Sequence, residues 1–221
     1  MGAERPHDTS PDSAPSLALR RLTPEDCPDD IITQLAALHA ETFPDGVLSQ
    51  LGTAFVERYY RGILHAPAAF LWVVLDGDTV AGWMAGTTDR ERFEREHRAG
   101  AAKSELIRRV LTLRMSPLAV VRGLRKQRLA RNVHDRAELL VLALRPAYRR
   151  SGQGRRLMQV MAEEVRAAGE RQYIVFTDNE EGYQFYCRIG GECLFHFRMG
   201  GRTSACFRIR LDEPDSPAAR A

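Results

Sequence analysis

The sequence has few cysteines, no long apolar segment and almost no lysine. Its four cysteines include no Cys-x-x-Cys pair, and in a chain of this length they do not indicate a disulfide framework. No uninterrupted apolar stretch is long enough to span a bilayer, and residues 1–6 show no signal-peptide pattern. We therefore expect free thiols, no stable membrane insertion and a cytoplasmic location.

Lysine occurs only at Lys103 and Lys126, so 30 of the 32 basic residues are arginines. This ratio indicates a GC-rich, bacterial coding bias, and it weakens any argument that a given arginine replaced lysine for its chemistry. With 44% hydrophobic residues among 221, the chain can bury one sizeable core. Both ends are rich in proline and small polar residues, so we expect tails at 1–15 and 212–221 around one domain at 16–211.

Strand and helix patterns alternate along that domain. Leu17–Leu22 alternates apolar and polar residues as a strand does, and Asp30 is placed to cap a helix carrying Ile31, Leu35, Leu38 and Phe43. A second helix is predicted from the spacing of Leu48, Leu51, Phe55, Tyr59 and Ile63. Two apolar runs at 69–75 and 79–86 are joined by Asp76-Gly77-Asp78, whose Asp-Gly step predicts a β-hairpin.

The stretch Arg149-Arg150-Ser151-Gly152-Gln153-Gly154 joins an apolar run at 138–144 to a helix with Leu157, Val160, Met161 and Val165 on one face. Glycines let the backbone approach a ligand closely, and a helix N-terminus offers free N–H groups and a positive dipole end. By itself such a loop is more often a plain turn. It lacks the Gly-Lys-Ser/Thr ending of a P-loop and the Gly-x-Gly-x-x-Gly spacing of a dinucleotide site, which argues against a nucleoside triphosphatase or a dehydrogenase.

The loop resembles Arg/Gln-x-x-Gly-x-Gly/Ala, the pyrophosphate-binding loop of the GNAT superfamily of acyl-CoA-dependent N-acyltransferases. Residues 179–191 resemble the family's downstream signature, Asn-x-x-Ala-x-x-Phe-Tyr-x-Lys-x-Gly-Phe, in order and spacing. They depart from it with Gly182 for alanine, Arg188 for lysine and Gly191 for the closing aromatic, which predicts a looser helix and a more flexible turn after it. The resemblance is firm over residues 137–199, and the element order of 17–87 agrees with it.

The resemblance implies an α/β (α+β, GNAT-like) fold: a mixed, mostly antiparallel central sheet of about seven strands flanked by helices, with a helical insertion between the third and fourth strands. The fourth and fifth strands, here 138–145 and 172–177, would diverge so that the pantetheine arm of acetyl-CoA adds beside the fourth. The residues thereby implied to bind the cofactor are Leu142, Ala143, Leu144, Arg149, Arg150, Ser151, Gly152, Gln153, Gly154, Arg155 and Asn179.

Several of these residues also have a plain structural interpretation. Leu142 and Leu144 would act through main-chain atoms while their side chains pack in the core. The arginines of the loop are solvated charges unless a diphosphate lies beside them, where they would donate charge-assisted hydrogen bonds. Asn179 is a candidate helix N-cap, and it could contact the pantetheine arm at the same time.

Two residues are predicted to be catalytic. Tyr186 matches the family's general-acid tyrosine, whose phenol assists departure of the thiolate, although a packed helix aromatic is the alternative. Glu138 is the candidate base because it shares strand parity with Leu140, Leu142 and Leu144, while an exposed strand-end glutamate is about as good an interpretation. Other candidate bases are His134, Glu41 and Asp45. Many relatives need no strong base, since binding selects the neutral amine, and no metal is expected.

The segment 89–136 holds 14 basic and six acidic residues, a net charge of about +8, whereas the whole chain carries +3. Two helices are expected in this basic insertion, from about Ser104 to Met115 and from Ser116-Pro117 onward. Three interpretations compete: a helical lid or homodimer contact, an electrostatic platform for an anionic acceptor such as a nucleotide-linked amino sugar, and a membrane- or nucleic-acid-binding surface. Without interleaved aromatics, specific nucleic-acid recognition is the weakest of these.

The resemblance implies an N-acetyltransferase that transfers an acetyl group from acetyl-CoA to a primary amine of a small molecule, by direct attack in a ternary complex. Two alternatives stay open: a non-catalytic acyl-CoA-binding module of the same fold, and an acyltransferase that acts on protein amines or uses a longer acyl-CoA. Neither motif identifies the amine acceptor.

Overall fold

The computed structural model describes residues 17–98, 128–129, 133–199 and 202–211, without the side chains of 97–98, 198–199 and 202–203. Seven strands of this part form one sheet in the order β1-β2-β3-β4-β5-β7-β6. Neighbouring strands are antiparallel except β4 and β5, which are parallel. The strands are β1 Leu17–Leu22, β2 Ala69–Asp76, β3 Thr79–Thr87, β4 Ala137–Leu144, β5 Gln172–Thr177, β6 Glu192–Met199 and β7 Arg202–Arg210. The predicted mixed, mostly antiparallel sheet is confirmed.

The α-helices of the described residues are α1 Asp29–Thr42, α2 Val47–Gln50, α3 Thr53–His65, α4 Arg90–Arg98, α5 Gln153–Ala167 and α6 Glu180–Arg188. Helix α5 buries the side chains that the spacing placed on its inner face, Leu157, Val160, Met161 and Val165. Helix α4 follows β3 directly and opens the basic insertion. The helix expected at about 104–115 lies outside the described residues, as do the two tails. Of the helix expected from 116 onward only residues 128–129 are described, and both are helical.

Two details of the helix prediction are wrong. The single second helix is two helices, α2 and α3, because Gly52 has a φ of 87° and ends the first hydrogen-bonded run. That left-handed conformation is open to glycine at no steric cost. At the start of α1 the N-cap is Pro28, so Asp30 lies inside the first turn, where its charge faces the positive end of the helix dipole instead of capping it.

Two apolar cores cover the two faces of the sheet. Helices α1 and α3 bury Ile32, Leu35, Val56 and Ile63 against one face, which we call the α1 face. Helices α5 and α6 pack on the other, the α5 face, where the core includes Leu157, Met161, Tyr173, Tyr186 and Phe207. Strand β2 serves both cores because its successive side chains alternate between the faces.

Strand β4 carries a β-bulge that changes which face its residues occupy. Its pairing with β3 slips between Ala85↔Val141 and Gly86↔Leu139. Leu140 and Val141 consequently both pack on the α1 face, whereas Leu139 and Leu142 pack on the α5 face. The predicted shared parity of Glu138 with Leu142 and Leu144 is therefore wrong, since an extra residue in a strand reverses the alternation beyond it.

The four cysteines are free thiols, as the sequence predicted. Among the helices that the structure describes, none combines the length and apolar character of a membrane-spanning segment.

Candidate active site

Strands β4 and β5 are paired over three residues and then separate. Their register ends at Leu139↔Val175, although β4 continues to Leu144 and β5 to Thr177. The separation opens a cleft of about 1270 Å³. Its walls include Leu142, Ala143 and Leu144 of β4, so the backbone edge of this strand beyond Leu139 is available to an extended ligand in the manner of an added strand.

One end of the cleft is formed by the loop before α5. Gly152 is the N-cap of that helix, with a φ of 81°, and no atom lies within 4 Å of the position a Cβ would take there. No side chain caps the helix N-terminus, so its first N–H groups remain for a ligand. The loop therefore has the geometry of an anion-binding helix start.

The arginines and neighbours of this loop are distributed around the cleft. Arg149, Arg150, Gly152, Gly154 and Arg155 all line it, and Arg150 has a φ of 63°. Arg149 Nη1 lies 3.0 Å from the carboxylate of Glu181 on the facing helix α6. Two predicted loop residues, Ser151 and Gln153, are not among those that line the cleft. The Ser151 hydroxyl donates to the Tyr148 carbonyl at 2.6 Å, and the buried Oε1 of Gln153 has no hydrogen-bond partner within the described residues.

Asn179 is the N-cap of α6. Its Oδ1 accepts a hydrogen bond from the Gly182 N–H at 2.7 Å, and the residue also lines the cleft. The structural role considered from the sequence is thus present. Contact with a cofactor stays a prediction. It is compatible with the cap, because the capping oxygen keeps a second lone pair and the amide nitrogen keeps its two protons.

The two glycines that depart from the GNAT signature are required by their surroundings. A Cβ on Gly182 would lie 2.3 Å from Thr177 Oγ1, and a Cβ on Gly191 would lie 2.8 Å from the Tyr186 carbonyl oxygen and 2.9 Å from Ile209. At such distances a side chain fits only if neighbouring atoms shift. Close packing against β5 and β7 accounts for both glycines, and the looser helix and more flexible turn stay predictions.

Tyr186 lies in the wall of the cleft, with its ring packed against Phe185 and Phe207. Only 6% of the residue is exposed. Burial raises the pKa of its phenol above the usual range, because an apolar environment disfavours the phenolate. The proton therefore stays on the oxygen at neutral pH, which is the state that a proton donor needs.

Glu138 is not an exposed strand-end residue. It is buried, it lies in the paired part of β4, and its carboxylate is 3.0 Å from Nε of the equally buried Arg90. Arg90 also donates to the carbonyls of Val133 and Asp135, which fixes the start of α4 against the strand. Glu138 is also not among the residues that line the cleft, so the base role would require the carboxylate to leave Arg90 and reach the cleft.

At the end that we call the α1 end, the cleft is lined by Thr42 and Phe43. Behind Phe43 lie three buried polar side chains that the sequence analysis did not single out, His39, Tyr60 and Trp83. His39 lies one helical turn before Phe43, on the apolar face of α1. A search of the sequence for polar residues on apolar helix faces could have found it. The other candidate bases, His134, Glu41 and Asp45, are not among the residues that line the cleft.

A sheet of this order, opened between its two parallel central strands beside a glycine-capped helix, has the architecture of the GNAT acetyltransferases. The acetyltransferase (GNAT) family model matches residues 32–190, and the chain belongs to this family.

Solved structures agree on the fold at low sequence identity. A protein from Desulfovibrio desulfuricans, described as a GNAT-family acetyltransferase, has a TM-score of 0.55 at 16% identity, covering 89% of this chain and all of its own. The yncA protein from Salmonella typhimurium, solved with its cofactor acetyl-CoA, has 0.56 at 12%, covering 91% and 98%. Aminoglycoside 6'-acetyltransferase type Ii has 0.55 at 13%, covering 89% and 98%. Comparison with curated proteins gives no significant match.

Proposed function

We propose that the protein is an N-acetyltransferase that transfers the acetyl group of acetyl-CoA to a primary amine of a small molecule, by direct attack in a ternary complex. One observation carries the proposal: the cleft between the diverging strands holds the glycine-capped loop, the free edge of β4 and the buried phenol of Tyr186 together. These are the parts that such a transfer needs, in one place.

The residues present fit an acyl-CoA. The left-handed Gly152 leaves open space where a Cβ would stand, so a diphosphate can approach the N–H groups of Gln153, Gly154 and Arg155. Arg149 and Arg150 add charge at the same end of the cleft. Leu142, Ala143 and Leu144 present main-chain groups to the pantetheine arm, with Asn179 across from them. When bound, acetyl-CoA supplies the acetyl group as a reactive thioester.

The chain's own residues then have separate tasks. Tyr186 holds a proton on its phenol oxygen for the departing sulfur, while burial keeps that proton in place at neutral pH. The apolar walls of the cleft, among them Leu139, Val175 and Phe185, exclude water that would compete with the amine. Because Glu138 is paired with Arg90, selection of the neutral amine by binding is the simpler route to a nucleophile.

The aminoglycoside acetyltransferase among the structural neighbours supports a small-molecule amine as the acceptor. A protein amine, a longer acyl chain and a non-catalytic acyl-CoA-binding module are the alternatives. A thiol-release screen distinguishes them: purified protein is incubated with acetyl-CoA, and then with longer acyl-CoAs, against small amines and lysine-containing peptides. Thiol release that depends on a small amine supports the proposal. Release only with peptides or only with longer acyl-CoAs contradicts it, and so does the absence of release with every amine tested.

The cofactor site has its own test. Acetyl-CoA should stabilise the folded protein by about 2.7 kcal/mol at a hundred times its dissociation constant, which thermal unfolding measures. Gly152→Asp should abolish this stabilisation, because it places a side chain and a negative charge against the diphosphate. Gly169→Asp is the matched control, since Gly169 has a φ of 80° and equally open surroundings at the opposite end of α5. Unchanged acetyl-CoA affinity in a folded Gly152→Asp variant would contradict the assignment.

A further inference from the structure

The part of the cleft that lies on the α1 face of the sheet is apolar. Its described lining residues are Thr42, Phe43, Leu140, Val141, Ala143 and Phe176. The polar side chain of this set already has a partner, because the Thr42 hydroxyl donates to the Leu38 carbonyl at 2.7 Å. The charged residues that line the cleft belong to the segment 149–155 or follow the end of β5 at Thr177. We call the α1-face part the apolar compartment.

Phe176 faces the apolar compartment from β5. Its neighbour Val175 packs on the α5 face, and β5 pairs with β7 without a register shift, so the next side chain lies on the α1 face. Phe176 lines the cleft and is partly exposed. Strand alternation and the lining of the cleft therefore agree on the direction of this side chain.

Two aromatic rings of β6 contact Phe176. The centroids of Phe195 and Phe197 lie 6.4 and 6.2 Å from that of Phe176, and the ring planes are inclined by 63° and 74°. Cys206 pairs with Phe176 on one side and with Phe195 on the other, so these three side chains lie in one row across the sheet. Edge-to-face contacts of this kind restrict the orientation of a ring.

A second restrained ring lines the same compartment from α1. Phe43 packs against His39 at a centroid distance of 5.1 Å and against Trp83 at 6.4 Å. Like Phe176, it is partly exposed and lines the cleft. Because each ring is supported by its own cluster, both can offer aromatic surface to a ligand without moving.

An apolar compartment on this face suits the attack of a neutral amine. In the proposed complex the cofactor occupies the loop and the edge of β4, and Tyr186 packs on the α5 face, so the amine reaches the thioester from the α1 face. Apolar surroundings disfavour the ammonium form, which agrees with the position of the candidate base Glu138 outside the cleft. Desolvation of the amine is unfavourable, and contacts with the rest of the acceptor must offset it.

We propose that Phe176 is a specificity-determining residue and that the acceptor is an arylalkylamine, whose aromatic group lies against Phe176 and Phe43. Aromatic pairs gain more than their buried area alone provides, so an aryl group is favoured over an aliphatic group of the same size. The inference rests on the proposed acetyltransferase function. It concerns the group next to the amine and is independent of the charge that the acceptor carries elsewhere.

Three amines and four proteins test the inference with acetyl-CoA as the donor. The amines are 2-phenylethylamine, 2-cyclohexylethylamine and 2-aminoethanol, which carry an aromatic, an aliphatic and a polar group. The proteins are the wild type, Phe176→Leu, Phe176→Ala and the matched control Phe55→Leu. Phe55 is a partly exposed phenylalanine of α3 that is not among the residues lining the cleft.

The wild type should have its lowest KM for 2-phenylethylamine. Phe176→Leu keeps an apolar side chain and should raise that KM about three- to tenfold, the worth of one aromatic pair, while the KM for 2-cyclohexylethylamine changes little. Phe176→Ala should raise both, since it removes most of the contact area. The kcat, acetyl-CoA affinity and the KM for 2-aminoethanol should stay constant, and Phe55→Leu should change none of these values. Equal KM changes for all three amines in Phe176→Ala, or no change for any, would overturn the inference.

A longer acyl chain of the donor is the other ligand that could fill the apolar compartment. The same proteins are therefore assayed with hexanoyl-CoA. If Phe176→Ala changes the KM for hexanoyl-CoA and leaves the KM of every amine unchanged, the compartment binds the acyl chain and the inference is wrong. A wild type that does not use hexanoyl-CoA, or a KM for it that is insensitive to Phe176→Ala, supports the inference.

A binding measurement separates the failure of this inference from that of the proposed function. Calorimetric titration of 2-phenylethylamine into the protein saturated with CoA needs no turnover, and Phe176→Ala should weaken this binding about tenfold. Equal dissociation constants in the two proteins would overturn the inference. Acetylation of all three amines with equal KM by the wild type contradicts the inference alone. Acetyl-CoA binding without acetylation of any amine contradicts the proposed function, and the inference falls with it.

Discussion

At the scale of single residues, the proposed proton donor Tyr186 can be tested by one conservative substitution. Tyr186→Phe removes the phenol and keeps the ring that packs on Phe185 and Phe207. In the proposed role the proton is needed at departure of the thiolate and not for binding. The kcat should therefore fall by about 10²- to 10⁴-fold, while acetyl-CoA affinity changes little. Steady-state and single-turnover kinetics measure this. Equal turnover in both proteins, with chemistry shown to limit the rate, would remove the acid role.

His39 predicts a pH dependence of stability. Its pKa of about 4 in the folded protein lies below its ordinary 6.5, so between these values the unfolded chain binds the extra proton. The stabilisation is complete above about pH 6.5 and is lost as the pH falls toward 4, by at most about 3 kcal/mol. The side chains packed around it, Tyr60, Trp83 and Phe43, are uncharged.

Urea unfolding at pH 7 and near pH 4.5 measures this loss in the wild type and in His39→Asn. The wild type should lose more stability on acidification, because the carboxylates titrate alike in both proteins and only the wild type carries the imidazole. Parallel losses would mean that His39 is not held neutral by the fold.

At the scale of elements, the junction of β5 and α6 explains a departure from the family signature. Gly182→Ala should cost about 1–3 kcal/mol, because the new methyl group meets Thr177 Oγ1 at 2.3 Å. Adding Thr177→Ala should recover most of this loss, which is the coupling expected of residues in contact. Gly154→Ala is the control: its Cβ meets nothing closer than 3.7 Å, so helix propensity should stabilise the protein by up to about 1 kcal/mol.

Thermal and urea unfolding of Gly182→Ala, Thr177→Ala, their double variant and Gly154→Ala, each against the wild type, measure this coupling. Additive losses in the double variant would show that Thr177 and Gly182 are not in steric conflict. The same experiment reports on the site, since Gly182 N–H is the group that Asn179 caps at the cleft wall.

At the scale of the whole molecule, the charge is unevenly divided between the basic insertion and the remainder of the chain. An anionic acceptor that this segment attracts should bind less tightly as salt is added, since exposed charges more than about 8 Å apart are largely screened at physiological ionic strength. Replacing Arg125 and Arg128 with Gln should raise the KM of that acceptor and spare kcat. Acetyl-CoA binding should change less, because the proposed diphosphate site relies on close backbone contacts.

The matched control removes two exposed arginines elsewhere, Arg58 and Arg171, so that the net charge changes equally. A KM that rises equally in both double variants would assign the effect to net charge and not to the insertion. A KM that stays constant in the Arg125 and Arg128 variant would leave the segment as a lid or a subunit contact.

The elements of this fold were predictable where the signal is local. Apolar spacing placed α1 and α5, and the Asp-Gly step placed the hairpin of β2 and β3. The loop at 149–154 and the motif at 179–191 contribute residues that line one cleft. In each case the residues that carry the signal lie within a few positions of one another. Steric and hydrogen-bonding preferences of such short segments act without the rest of the chain.

Other features of the protein were decided only by the tertiary structure, because they depend on residues far apart in the sequence. The bulge in β4 reflects its pairing with β3, and it moved Glu138 to the α1 face, where Arg90 of α4 neutralises it. His39, Tyr60 and Trp83 form one chain of hydrogen bonds from three elements. The local motifs of the sequence determined which residues are candidates to bind acyl-CoA. The packing of distant elements determined which polar groups were desolvated and paired, because burial and partners exist only once the sheet is assembled.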